Sequence, residues 1–288
     1  MSQQIEVSKV PEKQIAAFYG LVFAAAATDG CMSHDELMQI FGIMNLDQLS
    51  KQTQTEIKDY VATPPDLNHC LAILKQSSDE LKFSVAMNIM EVLLSDNLIS
   101  PDEESFLEDV YKQLGVSKEQ RTAIENFIRK AKEIAEKGVD DNVAERTLKD
   151  AAAGLAATGV PIAAVYLSGS VIGLSAAGIS SGLAAIGLGL GMVPGIGIAI
   201  LLGTAIFVGL RKVLGDSKKA KEKQIAADRE RKAQLVIKNL TESVNVLLKK
   251  INDLEEDAKA NQEKLCELKS RLFALNQMLK TRKQVAGA

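Results

Sequence analysis

The sequence predicts an all-α protein with three parts, and three observations support this fold class. From about residue 11 to residue 137, apolar residues recur at helical spacing between short polar or proline-containing breaks. Residues 151–210 then contain no charged side chain and no histidine. From about residue 215 onwards a heptad pattern follows, which is typical of a coiled coil. The predicted parts are a helical domain (1–137), a charged linker (138–150), an apolar glycine-rich hairpin (151–214) and a coiled-coil arm (215–284).

Seven helices are predicted in the N-terminal domain. The clearest boundary is Thr63-Pro64-Pro65, because a proline keeps the residue before it out of the helical conformation. The predicted helices cover residues 11–28, 34–42, 51–61, 66–76, 79–95, 101–114 and 118–137.

Two segments of this domain repeat one pattern, with an offset of 67 residues. AAAATDGCMSHDELMQIF surrounds Asp29, and MEVLLSDNLISPDEESFL surrounds Asp96. Each segment is an apolar helix, a turn and then Ser-x-x-Glu, which is the pattern of a capping box at the start of the next helix. The two predicted boxes are Ser33 with Glu36 and Ser100 with Glu103.

The acidic residues of the repeat allow a second interpretation, namely binding of a divalent cation. Asp29 and Glu36 match the fifth and twelfth positions of an EF-hand loop, but Ala25 and Ala27 occupy its first and third positions. An ordinary EF-hand is therefore excluded. A cation held by carboxylates of both copies remains open beside the capping interpretation, with Asp29, Glu36, Asp96 and Glu103 as its ligands.

Residues 12–137 resemble a TerB-like domain, the helical module named from tellurite-resistance operons. The resemblance implies an all-helical fold with an acidic metal-binding surface, and a role in stress responses and phage defence beside membrane-associated partners. It is compatible with protein partners for this domain, and nothing in it implies catalysis. The residues that carry it are TDG (28–30), MSHDEL (32–37), SDNLISPDEE (95–104) and YKQLGVS (111–117).

The apolar stretch predicts a transmembrane-type helical hairpin. A membrane pass needs about 20 apolar residues, so sixty residues supply two passes and a turn, which we place at Pro194 and Gly195. The passes would cover residues 161–190 and 196–214. Glycines destabilise helices in water, whereas in lipid they let helices pack closely. The predicted packing stripe is Gly169, Gly173, Gly178, Gly182 and Gly187. The alternative is a hairpin buried in a soluble core.

Basic residues flank both ends of the apolar stretch. By the positive-inside rule they place both flanking domains in the cytoplasm, at the inner membrane. The N-terminus lacks the basic start and apolar run of a signal peptide. The flanking residues are Arg146, Lys149, Arg211, Lys212, Lys218, Lys219, Lys221 and Lys223.

The coiled-coil arm is predicted as one long helix with an apolar seam. Asn261 falls at a core position, where a polar side chain fixes the register of the helices. Two arrangements bury the seam: association with other copies, or packing on the N-terminal domain of the same chain. The seam consists of Ile237, Leu240, Val244, Leu247, Ile251, Leu254, Ala258, Asn261, Leu265, Leu268, Leu272, Leu275 and Leu279.

Several function classes receive no support from the sequence. It contains no phosphate-binding loop, no nucleophile with a matched base and no zinc-ligand spacing, so we do not expect an enzyme. Three widely spaced cysteines give no disulfide framework. The formal net charge is -3 and tryptophan is absent, so no nucleic-acid partner is predicted.

The leading interpretation is therefore a membrane-inserting, self-assembling helical protein. In this interpretation it is a stress-response or phage-defence effector that permeabilises a membrane through its glycine-rich hairpin, and its partners are lipid and further copies of itself. The first alternative is a membrane-anchored TerB-like scaffold that recruits partners. The second is a soluble stress protein with a buried hairpin.

Overall fold

A computed structural model describes residues 10–137, 150–161, 218–256 and 262–286, apart from positions 31, 45, 48, 152 and the pair 96–97. Within these ranges every regular element is an α-helix and no strand occurs. The predicted all-α class is confirmed for this part of the chain.

The seven predicted helices of the N-terminal domain are all present, and each observed boundary lies within two residues of the predicted one. Their positions are accurate because polar caps mark them: Ser50, Asp66 and Ser78 each accept a hydrogen bond from the backbone of the third helical residue. The helices are α1 (Glu12–Ala26), α2 (His34–Ile43), α3 (Lys51–Asp59), α4 (Leu67–Leu74), α5 (Asp79–Leu93), α6 (Pro101–Leu114) and α7 (Lys118–Lys137).

The internal repeat covers three helices, one more than the sequence pattern indicates. Helices α1, α2 and α3 begin at Glu12, His34 and Lys51, and α5, α6 and α7 begin 67 residues later in each case. We call α1–α3 the first half of the domain and α5–α7 the second half.

The core of the domain forms around α1 and α5, which pack against each other. Most residues of both helices are buried, including Phe18, Tyr19 and Phe23. Gly20 allows α1 to lie close to α4, because a Cβ atom there would be 2.7 Å from both Cys70 Sγ and Pro65 Cγ. The core thus depends on one close backbone approach as well as on apolar burial.

A short segment, residues 150–161, packs on the second half of the domain. Its helical residues end before Gly159, which has a φ of 81° and so uses the left-handed conformation that favours glycine. Leu155 and Val160 are buried in the core, and Gln120 Nε2 on α7 donates to the carbonyl of Thr158 at 3.1 Å. The last described residue here, at position 161, is also the first residue of the first predicted membrane pass.

The C-terminal arm is two helices, so the prediction of one long helix is wrong. They are α8 (Lys218–Glu256) and α9 (Gln262–Ala286), which pack against each other as a hairpin. Lys269 Nζ lies 2.5 Å from Glu255 Oε1 across this hairpin. Residues 257–261, between the two helices, contain Ala258 and Asn261, the two seam positions without a large apolar side chain. Both lie outside the described residues, as does the predicted register role of Asn261.

The C-terminal hairpin, α8 and α9, packs on the first half of the N-terminal domain. Helix α8 contacts α2 and α3, and α9 contacts α2. The seam is buried at Leu240, Leu247, Leu268 and Leu275, all of them without exposed surface. Of the two arrangements open from the sequence, the structure therefore contains packing within the chain.

The predicted membrane hairpin lies almost entirely outside the described residues. Among the residues that are described, no helix is long and apolar enough to cross a membrane. Residues 162–217 are not described, and they contain the turn and the packing stripe predicted above, namely Pro194, Gly195, Gly169, Gly173, Gly178, Gly182 and Gly187.

Candidate functional site

The candidate site is built from the two capping boxes of the internal repeat, and both boxes are formed. The backbone N–H of Ser33 donates to Glu36 Oε2 at 2.8 Å, and the N–H of Glu36 donates to Ser33 Oγ at 3.2 Å. In the second half, the N–H of Ser100 donates to Glu103 Oε2 at 2.6 Å, and the N–H of Glu103 donates to Ser100 Oγ at 3.3 Å. Each glutamate is therefore fixed at the first turn of its helix.

The turn before the first box has the conformation that its sequence predicts. Gly30 has a φ of 85°, which favours glycine at this position. Met32 is buried beneath the turn and Asp29 is exposed on it. The matching residues of the second half, Asp96 and Asn97, lie outside the described residues.

The carboxyl groups of Glu36 and Glu103 are buried, at 6% and 8% exposure of the residue. Burial raises the pKa of Glu36 to about 7, although its hydrogen bonds with Ser33 act in the opposite direction. The negative charges of Asp29 and Glu103 raise this pKa further. Asp29 and Glu103 are thus near enough for their charges to act on Glu36.

This arrangement offers oxygen atoms to a hard cation. The capping bond uses Oε2 of each glutamate, and a carboxylate has further acceptor positions. Among the described residues, however, no three His, Cys, Asp or Glu side chains form a group that could hold a metal ion. The fourth predicted ligand, Asp96, is not among them. Cation binding by Asp29, Glu36, Asp96 and Glu103 therefore stays a prediction.

A buried thiol lies elsewhere in the domain and is unsuited to nucleophilic chemistry. Burial raises the pKa of Cys70 to about 11, and the charges of Asp66 and Glu56 add to this shift. A thiol with this pKa is protonated at neutral pH, so it is a poor nucleophile. Cys70 is a packing residue against Gly20.

A second candidate surface is the contact between the C-terminal hairpin and the first half, whose polar residues the sequence analysis did not identify. Asn239 Nδ2 donates to the carbonyl of Met44 at 2.9 Å, and Arg271 Nη1 donates to the carbonyl of Val61 at 2.8 Å. Both side chains are almost fully buried, at 1% and 4% exposure. They satisfy backbone carbonyls that the hairpin would otherwise leave buried without a donor.

Two ion pairs join the same surfaces. Lys238 Nζ lies 3.0 Å from Asp47 Oδ1, and Lys58 pairs with Glu242. Lys238 and Glu242 are one helical turn apart on α8, so both pairs lie along one side of that helix. We call the eight residues of these polar contacts the docking surface: Met44, Asp47, Lys58 and Val61 on the domain, and Lys238, Asn239, Glu242 and Arg271 on the hairpin.

Comparison with known proteins identifies the N-terminal domain. Residues 14–126 match the family model described as tellurite resistance protein TerB, so this helical domain is TerB-like, as its motifs predicted. The match covers less than half of the chain and ends within α7, before residues 150–161 and the C-terminal hairpin. No curated protein and no solved structure matches the chain.

Proposed function

We propose that this chain is a membrane-anchored, TerB-like scaffold. In this proposal the apolar stretch inserts into a lipid bilayer and holds the helical domain at the cytoplasmic face of the inner membrane. There the helical domain binds protein partners through its exposed surface, including the acidic site. This recruitment would serve a stress-related role.

The observation that carries the proposal is the position of the two chain segments that border the apolar stretch. Residues 150–161 pack on α7, and the C-terminal hairpin packs on α2 and α3. The described helices on either side of residues 162–217 thus belong to one helical body. Two membrane passes with a turn between them fit this arrangement, because both of their ends would lie on one side of the bilayer.

The C-terminal hairpin supports an anchor in preference to a permeabilising assembly. Permeabilisation would need many copies, and the arm was expected to assemble them through its seam. Instead Leu247 and Leu275 of the seam are buried within the chain. Permeabilisation of the membrane remains the second hypothesis. A permeabilising protein would release the contents of vesicles, whereas an anchored scaffold would not.

The residues next to the apolar stretch also suit a membrane surface. The sequence begins α8 with four lysines in six residues, Lys218, Lys219, Lys221 and Lys223. Lysines close to an anionic leaflet each add about 1 kcal/mol of attraction. Small residues in the predicted passes favour close packing of the two helices in lipid.

We further propose that the acidic site takes a divalent cation through oxygen ligands. Glu36 and Glu103 would hold it from the two helix starts, and Asp29 and Asp96 from the two turns. A cation there would neutralise carboxylates that repel one another across the boundary between the two halves.

The anchoring proposal is tested by placing a charge in each predicted pass. Ile179→Lys and Ile206→Lys lie near the middle of the two passes, where a lysine costs about 3 kcal/mol on insertion. We expect both variants to lose most of their flotation with liposomes of anionic lipid composition. The matched control is Leu98→Lys, the same type of change at a residue of the helical domain that is 72% exposed.

Equal flotation of all three variants would contradict insertion of this stretch. Failure of the wild-type chain to float would favour the remaining alternative, a soluble stress protein whose hairpin stays buried.

A further inference from the structure

We infer that the side of the C-terminal hairpin that points away from the helical domain pairs with the same side of a second copy, in antiparallel orientation. Both copies keep the docking surface covered by their own hairpin, so the new contact uses only residues that the chain leaves exposed. The inference does not depend on insertion of the apolar stretch into a membrane.

The hairpin carries two large apolar side chains that its own chain leaves uncovered. Leu248 on α8 is 42% exposed and Phe273 on α9 is 66% exposed. Within the described ranges, Leu98 is the one other large apolar side chain that is exposed. Aromatic residues are enriched at the centre of protein interfaces, so Phe273 is the candidate anchor of a contact.

Both side chains point away from the docking surface. Asn239 on α8 and Arg271 on α9 donate hydrogen bonds to the domain. With 3.6 residues per turn, Leu248 lies about 180° around α8 from Asn239, and Phe273 lies about 200° around α9 from Arg271. The two exposed side chains therefore share the outer side of the hairpin.

The two side chains also lie close together along the hairpin. The ion pair between Glu255 and Lys269 fixes which residues of α8 and α9 are side by side. Leu248 is seven residues from Glu255, and Phe273 is four residues from Lys269, in each case away from the connection. The difference of three residues corresponds to about 4.5 Å of helix, so the two side chains form one apolar patch.

Each apolar side chain belongs to a line of uncharged residues at heptad spacing. Steps of four, three and four residues connect the members of both lines, which keeps each line on one side of its helix. Charged residues are depleted at the core of interfaces, and these lines lack them although both helices are rich in lysine and glutamate. The lines are Thr241, Asn245, Leu248 and Asn252 on α8, and Cys266, Ser270, Phe273 and Gln277 on α9.

The charge of the hairpin changes sign along its length, and this favours a second copy as the partner. Near the connection, residues 251–255 and 262–267 contain four acidic side chains and one basic side chain. Further away, residues 268–286 contain five basic side chains and no acidic one, and residues 234–250 contain three lysines and one glutamate. An antiparallel copy places its basic end over the acidic end of the first, and twofold symmetry does this twice.

The same charge pattern disfavours other arrangements. A parallel copy would set the two acidic ends against each other, and an anionic lipid surface would repel the acidic end. A twofold contact closes at two copies, because both copies use the same side of the hairpin. Two anchored scaffolds would thus be joined without forming a larger assembly.

An antiparallel contact centred on Phe273 brings Cys266 of one copy to Lys280 of the other. Each of these residues is seven positions from Phe273, which is about 10 Å along α9 and nearly the same direction around it. Within one chain the two positions are fourteen residues or about 21 Å apart, too far for a disulfide.

Oxidation of Lys280→Cys by dissolved oxygen therefore tests the contact in the full chain, kept in detergent. With Cys31→Ser in every chain, we expect a disulfide-linked dimer on a non-reducing gel. The matched control is Thr281→Cys, which is exposed but points about 100° away around the helix and should stay largely monomeric. Equal linking of the two variants would overturn the inference, as would a dimer linked through Cys266 alone, which indicates a parallel contact.

Phe273→Glu tests the anchor without a cross-link. Twofold symmetry removes the side chain from both copies at once, so we expect the dissociation constant of the dimer to rise about a hundredfold. Sedimentation in detergent measures it, and circular dichroism confirms that the variant is folded. The matched control Leu98→Glu changes an exposed leucine of the helical domain and should leave the constant unchanged.

Three results of the sedimentation experiment would overturn the inference. The first is a wild-type chain that is monomeric at every concentration measured. The second is a dimer that persists in Phe273→Glu. The third is an unchanged dimer together with weaker flotation of Phe273→Glu with liposomes, which would assign the outer side of the hairpin to lipid.

Discussion

The two halves of the TerB-like domain have matching helices but different partners. Helices α1–α3 and α5–α7 begin at equivalent positions, 67 residues apart, and each half has a capping box before its second helix. Yet the C-terminal hairpin covers α2 and α3 in the first half, whereas residues 150–161 pack on α7 in the second. The repeat thus determines local structure, and the side chains outside the repeat pattern determine what packs on each half.

The starts of α3 and α7 show this difference in detail. At α3, Glu12 accepts hydrogen bonds from the N–H of Ser50 at 2.8 Å and from its hydroxyl at 2.6 Å, and these bonds lower the pKa of Glu12. At α7 the corresponding cap is neutral, with Gln120 Oε1 accepting from the N–H of Ser117 at 2.9 Å. The amide of Gln120 is then free to donate to Thr158 on the packed segment.

The largest expected effect concerns the buried seam of α8. Leu247 is fully buried and its neighbour Leu248 is 42% exposed. We expect Leu247→Ala to lower the free energy of unfolding by about 2–5 kcal/mol, because it removes apolar contacts and leaves a cavity. Leu248→Ala should change it by about 0.5 kcal/mol. Denaturant unfolding measures both, and equal losses would contradict the observed packing of α8.

A second prediction uses the acidic site at the boundary between the halves. The pKa of Glu36 is about 7 in the folded protein and 4.5 without its surroundings. A raised pKa stabilises the folded state fully below pH 4.5, and this contribution is lost as the pH rises through 7. Between pH 5 and pH 8 we expect the protein to lose stability on the order of 2 kcal/mol from this group.

Glu36→Gln should remove most of this pH dependence in thermal unfolding, since glutamine also completes a capping box. The matched control is Glu103→Gln, which should retain it, because desolvation of Glu36 is the main cause of the shift. A pH dependence that is unchanged in Glu36→Gln would contradict the assignment. If the acidic site holds a cation, millimolar magnesium or calcium should stabilise wild-type protein at pH 8 but not Glu36→Gln.

The smallest expected effect compares the two capping boxes directly. Ser33→Ala and Ser100→Ala each remove the serine that caps one half, at a cost of about 1 kcal/mol. Similar losses in denaturant unfolding would show that the two boxes are energetically equivalent. If only one variant loses stability, the helix in the other half is held in place by the elements that pack on it rather than by its cap.

Much of the helical domain could be predicted from sequence because its signals are local. Caps such as Ser33 and Ser100 stand within three residues of the groups that they bind, so their spacing is visible in the chain.

The path of the C-terminal arm was not predictable in the same way. A heptad pattern shows which residues are buried but not which helix covers them. The contacts that decide the question join distant residues, Asn239 with Met44 and Arg271 with Val61. No periodicity near Asn239 or Arg271 marks either partner.

The central claim is that the apolar stretch anchors one helical body to a membrane, and flotation with dye-loaded liposomes tests it most directly. The wild-type chain is mixed with anionic vesicles that contain a self-quenched dye and is then centrifuged through a density gradient. We predict that the protein floats with the vesicles and that the dye stays inside them. Flotation with dye release would instead support a permeabilising protein, and protein that remains at the bottom of the gradient would contradict the anchor.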